Sequence, residues 1–280
     1  MKTIIVTTDF SKSALNAVKY AFAYAENTKS NLVLYHAYTH PTSELNLPLP
    51  GIRIGRQEAR EGAEFQMKKV ITSVFKLYPR VKPKWVVEPG LASETIIRFI
   101  KKNKIDLLIM GTTGQGVISR ALIGSTSSSV ITNVPCTMIA VPPTAKFKGI
   151  NKVLVATDLE KTNLLKAAES VAFAKQFNAE VKFVHIQDLA IFDAEGILQK
   201  MTDTIKKEMR YKNISFNVYD DSNIIEGLDL VIKKQKPDIL SMMTYGRKFP
   251  ETIWKTSWTN KMSNHTKIPL LILHRSRKKS

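Results

Sequence analysis

The sequence predicts an α/β protein built of two tandem domains. Each is a doubly wound, Rossmann-like unit with a five-stranded parallel sheet in the order 3-2-1-4-5. Three observations predict this. Short β-rich apolar runs alternate with longer runs of helical periodicity. The same plan is written twice along the 280 residues. Both sets of strands are nearly continuous in apolar character, as strands covered by helices on both faces must be.

The elements follow in order. TIIVTTD (3–9) is a first strand that ends in a turn signal. SALNAVKYAFAYAEN (13–27) repeats apolar residues at helical spacing, with Ser11 available as its N-cap. NLVLYHAY (31–38) is a second strand, followed by a loop rich in proline and glycine (41–55). A long amphipathic helix spans about 56–77. KWVVE (84–88) is a third strand and ASETIIRFIKKN (92–103) a helix. DLLIMG (106–111) is a fourth strand, GSTSSSVITNV opens another helix, and CTMIAV (136–141) is a fifth strand. From residue 150 the plan restarts: KVLVATDL mirrors TIIVTTDF, VKFVHI mirrors LVLYHA, and EGLDLVIKKQKPDIL matches ETIIRFIKKNKIDLL without a gap. IPLLIL mirrors VPCTMI. A repeat of this length means two domains, 1–145 and 150–280, joined near TAKFKGI.

Right-handed crossovers put the reversal of strand order between strands one and four. The loops beyond the carboxyl ends of those strands splay apart and leave a crevice. The ends carry Asp9 and Gly111. The stretch GTTGQGVISRALIGSTSSSVI (111–131) has glycines at 111, 114, 116 and 124, with Ser125 and Thr126 directly behind the last. Glycine lets an anion approach the backbone without a Cβ in the way. A helix N-terminus offers unpaired N–H groups and partial positive charge. Together they make a phosphate cradle. The pattern is neither a Walker loop nor G-x-G-x-x-G. Read one residue at a time, the glycines only shape a turn and Ser125 only caps a helix.

The spacing of Gly111, Gly114, Gly124 and Ser125 resembles the G-x2-G-x9-G-[S/T] motif of ATP-binding members of the universal stress protein family. TTDFS and LYHAY resemble that family's first two strands, and the resemblance runs from Met1 to about His274 in its tandem two-domain form. The resemblance implies an ATP-binding regulatory module, with or without Mg2+. Thr8 and Asp9 would sit by the ribose and adenine, and Ala37 would line the adenine pocket through its backbone. Gly111 and Thr112 would meet the ribose side. Gly114, Gly124, Ser125 and Thr126 would hold the phosphates. Asp9 has an alternative reading as a helix cap. His36 reads as a satisfied strand-end histidine rather than a base. Arg120 either reaches a γ-phosphate or faces solvent.

The second copy keeps Asp158 but places Met243 opposite Gly111, and keeps only Gly246, opposite Gly114. Thr256, Ser257 and Trp258 stand where Gly124, Ser125 and Thr126 stood, with Trp254 nearby. In the turn after the third strand, Ser222 and Asn223 match Gly90 and Leu91. Large side chains would fill the phosphate space, so one nucleotide per chain is expected.

Other function classes are weighed on composition. The formal charge of +18 is spread over both halves, with 20 basic and 9 acidic residues in 1–149 and 22 and 15 in 150–280. Without aromatic–basic interleaving it reads as solvated helix faces rather than a nucleic-acid surface. No apolar run reaches membrane-span length, and one cysteine, Cys136, forms no disulfide within the chain. A cytoplasmic protein with an inert buried thiol is the expectation. No metal site and no catalytic base are evident; only Lys12 and Arg120 could stabilise charge for a slow ATPase or nucleotidyl transfer. A non-nucleotide interaction protein is the other alternative. The apolar fifth strands, 136–141 and 269–273, should pair the two domains about a pseudo-twofold axis, or else pair two chains as a homodimer.

Overall fold

The structure is a computed structural model. It describes residues 1–39, 50–112, 125–157, 163–187, 194–221, 223–243 and 267–273. The calls on Gly114, Gly124, Arg120, Asp158, Ser222, Gly246 and the segment from Trp254 to Trp258 lie outside the described residues.

In chain order the first half holds β1 (Thr3–Thr7), α1 (Lys12–Thr28), β2 (Asn31–Tyr38), α2 (Pro50–Phe75), β3 (Lys84–Pro89), α3 (Ala92–Asn103), β4 (Leu107–Gly111), α4 (Ser125–Asn133) and β5 (Thr137–Val141). The second half holds β6 (Lys152–Ala156), α5 (Asn163–Lys175), β7 (Glu180–Gln187), α6 (Ala194–Met209), β8 (Ile214–Asp220), α7 (Ile224–Gln235), β9 (Ile239–Met243) and β10 (Leu270–Leu273). All strands join one sheet in the order β3-β2-β1-β4-β5-β10-β9-β6-β7-β8. Each half is thus a parallel sheet of order 3-2-1-4-5, the second written in reverse along the sheet.

The junction is antiparallel. Leu271 pairs with Ile139, Leu270 with Ala140 and Ile272 with Met138. Pairing with the fourth strands, Leu108 with Met138 and Leu240 with Leu270, makes Leu271 the counterpart of Ile139, Leu270 of Met138 and Ile272 of Ala140, two residues away from the alignment of IPLLIL with VPCTMI. Each residue therefore meets the counterpart of its partner's mirror position, and a pseudo-twofold axis passes through the Ile139–Leu271 pair.

The strands alternate sides with period two. Ile4 and Val6 face a core shared by α1, α2, α5 and α6, and this core runs without a break across both halves. Ile5 faces a second core under α3 and α4. A third lies under α7. Each fully buried Leu, Ile or Phe contributes roughly 1.5–3 kcal/mol.

Helix α1 shows how local sequence sets the elements. Ser11 is extended and its Oγ accepts from the Ala14 N–H at 3.2 Å, so the helix starts there. Ala17, Ala21 and Ala25 are buried, and their small size lets the helix lie close to the sheet. The helix ends at Lys29, left-handed at φ 52, and the Ser30 N–H closes on the Ala25 carbonyl at 3.1 Å. The second copy ends α5 the same way, with Asn178 left-handed and the Ala179 N–H on the Ala174 carbonyl.

Two sequence expectations need correction. The loop expected through residue 55 ends earlier, because α2 begins at Pro50. Proline fits the first helical position, where its missing N–H would be unpaired anyway. The turn after β8 is one residue longer than that after β3. The N–H that returns to the second strand comes from Gly90 (to Tyr38) in one copy and from Asp221 (to Gln187) in the other. Asn223 still matches Leu91 ahead of the helix, so the second copy has one more residue between its third strand and the following helix. The glycine has moved with it. A Cβ on Gly90 would meet Thr95 Cγ2 at 2.9 Å, whereas a Cβ on Gly227, the counterpart of Thr95, would meet Asp221 Cβ at 3.0 Å. Each copy keeps one glycine at this crossing, on opposite sides of it.

Candidate functional site

The reversal of strand order falls at β1 and β4, which pair in parallel with Val6 opposite Ile109. Two residues on, Thr8 and Gly111 are level at the carboxyl ends of neighbouring strands. The crevice opens above them.

On the β1 side the chain turns sharply. The Phe10 N–H donates to Thr8 Oγ1 and the Ser11 N–H to Asp9 Oδ1, both at 3.0 Å. Phe10 sits at φ 65, a left-handed conformation that costs a residue with a Cβ about 1–2 kcal/mol. Such strain persists where surrounding contacts hold it. Here they come from His36, whose ring lies 4.3 Å from the Phe10 ring and whose Nδ1 donates to the Thr8 carbonyl at 2.7 Å. His36 is therefore a clamp on the β1 turn. The second copy repeats the clamp, with His185 Nδ1 on the Thr157 carbonyl at 2.8 Å.

Asp9 takes part in the turn that leads into α1, but Ser11 is the residue that caps the helix. Ala37 lies one step past the end of β1. The Thr8 N–H reaches the Tyr35 carbonyl at 3.0 Å, and backbone polar groups alternate along a strand. Ala37, two residues beyond Tyr35, therefore turns its N–H and C=O toward the side of β1, past the point where β1 ends.

On the β4 side, Gly111 is buried where any side chain would be tight. A Cβ there would lie 3.1 Å from Ser13 Oγ and 3.3 Å from the Ser13 carbonyl oxygen. The start of α1 is thus pressed against the end of β4. Ser13 Oγ and Thr7 Oγ1 are buried and have no hydrogen-bond partner among the described residues. The chain leaves at Thr112, whose N–H donates to the Val141 carbonyl at 3.1 Å. It returns at α4. The buried Ser127 Oγ donates to the Gly111 carbonyl at 3.1 Å, tying the first turn of α4 to the end of β4. Ser125 opens that helix and Thr126 is half-buried in it. The structure thus brings Thr8, Asp9, Ala37, Gly111, Thr112, Ser125 and Thr126 to one end of the sheet. Sequence reasoning missed Ser13 and Ser127. The run of hydroxyl residues behind Gly124 was the only signal for Ser127, and nothing in the sequence marked Ser13.

Three comparisons bear on this site and fold. The universal stress protein family profile matches residues 1–142 and again 149–274. The chain belongs to the universal stress protein family. It is 29% identical over 148 residues to a universal stress protein of Methanocaldococcus jannaschii, a match covering 50% of this chain and 81% of the relative. It is 28% identical over 140 residues to one of Thermus aquaticus, covering 50% of this chain and 98% of the relative. A universal stress protein structure from Archaeoglobus fulgidus superposes over 98% of both chains with a TM-score of 0.76 at 16% identity, which establishes the likeness of fold across both halves.

In this universal stress protein, burial pushes the His36 ring below its ordinary value of about 6.5, against the opposing pull of the Thr8 carbonyl and the Asp9 charge. A depressed histidine contributes stability above its unfolded value and loses it as pH falls toward the folded one. Melting curves from about pH 7.5 to 5 are expected to show the wild type losing more stability than His36→Gln. Parallel losses would show that the clamp does not depend on neutral His36. Burial also pushes the half-buried Cys136 thiol up to about 12, so it stays protonated. Among the described residues no group of three His, Cys, Asp or Glu could hold a metal ion, and no helix is long and apolar enough to cross a membrane.

Proposed function

We propose that the chain is a nucleotide-responsive regulatory module. Residues 1–145 bind one adenine nucleotide, ATP with or without Mg2+, and residues 150–280 form a related unit without a phosphate cradle. The observation that carries this reading is the Ser127–Gly111 hydrogen bond. It ties the first turn of α4 to the end of β4 and sets the N-terminus of α4 beside the crevice, where unpaired N–H groups favour phosphate. The family membership of the chain supports it.

Each residue has a role within this reading. The backbone of Ala37 hydrogen-bonds the adenine edge. Thr8 and Asp9, fixed by the His36 clamp, meet the ribose, with Gly111 and Thr112 on its other side. Gly114, Gly124, Ser125 and Thr126 receive the phosphates. ATP supplies the negative charge that the N-terminus of α4 favours beside the two strand ends. In the second copy Met243 stands at the sequence position of Gly111. Trp254 and Trp258 occupy the sequence positions that would face phosphate.

Calorimetric titration of the purified chain with ATP tests the reading. One site per chain is expected. Gly124→Val should weaken binding at least about tenfold, since a charge-assisted phosphate contact is worth roughly 1.5–3 kcal/mol. Two equivalent sites would overturn the asymmetry, and unchanged affinity in the variant would overturn the cradle.

A further inference from the structure

Helix α1 begins at the crevice and ends against the second half. Its first turn carries Ser13, whose carbonyl oxygen lies 3.3 Å from where a Cβ on Gly111 would stand, so helix and strand end are in close contact there. One turn on, Asn16 Nδ2 donates to the carbonyls of Pro142 and Ala145 at 3.0 and 2.8 Å. Those carbonyls belong to the segment that joins the two halves. Phe147 of the same segment packs edge-on against Tyr20 and Tyr24 of α1, with ring centroids 5.3 and 5.5 Å away. The Tyr24 ring stands 5.6 Å from that of Phe177, just past α5. Ser13, Asn16, Tyr20 and Tyr24 are spaced three and four apart and share one face of the helix. That face meets, in order, the strand end below the crevice, the joining segment and the second half.

The joining segment is tied to the site a second time. It starts where β5 ends, at Val141, and the Val141 carbonyl accepts from the Thr112 N–H at 3.1 Å. Thr112 is the first residue beyond β4. The segment therefore has one anchor on each wall of the crevice, Asn16 on the α1 side and Thr112 on the β4 side. The second copy lacks these groups in its sequence. Lys29 and Asn178 hold the same left-handed position after α1 and α5, which sets Leu165 opposite Asn16 and Glu169 opposite Tyr20. Leucine has no amide to donate, and glutamate has no ring to stack.

We propose that α1 and the joining segment 142–149 couple the nucleotide crevice to the contact between the halves. This rests on nucleotide binding in the first half and names how that site is regulated. The segment has a docked state, with both Asn16 bonds made, and a released one. On release β5 loses its anchor just beyond Val141, and the bond from Thr112 frays with it. The start of α1 and Thr112 are both held only in the docked state. A nucleotide that meets Asp9, Gly111 and Thr112 gains most from that state and shifts the segment toward it. By linkage, a docked segment raises nucleotide affinity by the same factor.

The test reads both ends of the coupling in the full chain. Lys146 and Lys148 are exposed in the joining segment, so trypsin cleavage after them reports its release. Lys101 and Lys102, exposed on α3, report general unfolding. Saturating ATP should slow cleavage after Lys146 and Lys148 at least about fivefold in the wild type, and cleavage after Lys101 and Lys102 less. Asn16→Leu, the residue the second copy carries, should be cut faster in the joining segment without ATP and should bind ATP about fivefold more weakly by calorimetry. Equal slowing at both pairs of lysines would assign the effect to general stabilisation and overturn the coupling. So would wild-type ATP affinity in an Asn16→Leu chain whose joining segment is cut faster. Wild-type protein that binds ATP with no change in cleavage after Lys146 and Lys148 would overturn the coupling and leave the nucleotide site standing. Wild-type protein that binds no ATP would remove the site and the coupling together.

Discussion

Valine at position 111 is expected to abolish ATP binding and to lower the stability of the whole first half. The Cβ alone would sit 3.1 Å from Ser13 Oγ and 3.3 Å from the Ser13 carbonyl oxygen. The serine hydroxyl could rotate away. The carbonyl belongs to the first turn of α1, so the helix itself must shift. Overpacking of this kind costs about 1–3 kcal/mol. The two γ-carbons of valine would add bulk at the end of β4, which neighbours β1 and is tied to Ser127 of α4. Thermal melting and calorimetric titration with ATP measure the two effects separately. A destabilised variant that still binds ATP with wild-type affinity would detach Gly111 from the site. A variant unchanged in both would show that α1 and β4 tolerate wider spacing than their contact suggests.

Lysine at Ile139 together with lysine at Leu271 should be the most damaging pair of substitutions in the chain. Both side chains are fully buried, and they stand opposite one another across the antiparallel junction. Directly paired residues have Cβ atoms about 4.5–5.5 Å apart, so two like charges would be forced together out of water. An unpaired buried charge alone costs about 3–5 kcal/mol. A typical domain has only about 5–15 kcal/mol of net stability to lose. The readout is proteolysis within 142–151 followed by gel filtration. Nicked wild-type halves should travel together, and those of the double variant should separate or aggregate through the exposed strands. Wild-type halves that separate on nicking would show the β5–β10 junction to be too weak to hold the protein together.

Much of the architecture was legible because it rests on period and punctuation. The continuous apolar run at Ile4, Ile5 and Val6 and the alanine stripe of α1 are visible in single runs of residues. So is Ser11 as a cap, since its partner is only three residues away. Features that depend on partners far along the chain were not legible. No local signal joins His36 to the Thr8 carbonyl, or Ser127 to the Gly111 carbonyl, because the sheet alone makes them neighbours. Pro50 misled for a physical reason: the residue that ends helices also starts them. The extra residue in the turn after β8 was hidden because the runs that follow it align without a gap, and the returning N–H of Asp221 reveals the slip.

The self-matching register of β5 and β10 has a consequence for how such a chain can change. A lone half would have to find a second copy by diffusion to cover its fifth strand, and its association would fade on dilution. Tethered by the short segment between Val141 and Lys152, the two strands meet at an effective concentration in the millimolar range, whatever the amount of protein present. A pair made from identical copies must also carry any alteration twice. A fused pair need not. Met243 could replace glycine, and Glu169 could replace tyrosine, each on one side only, while the strand that holds the partners together kept its shape.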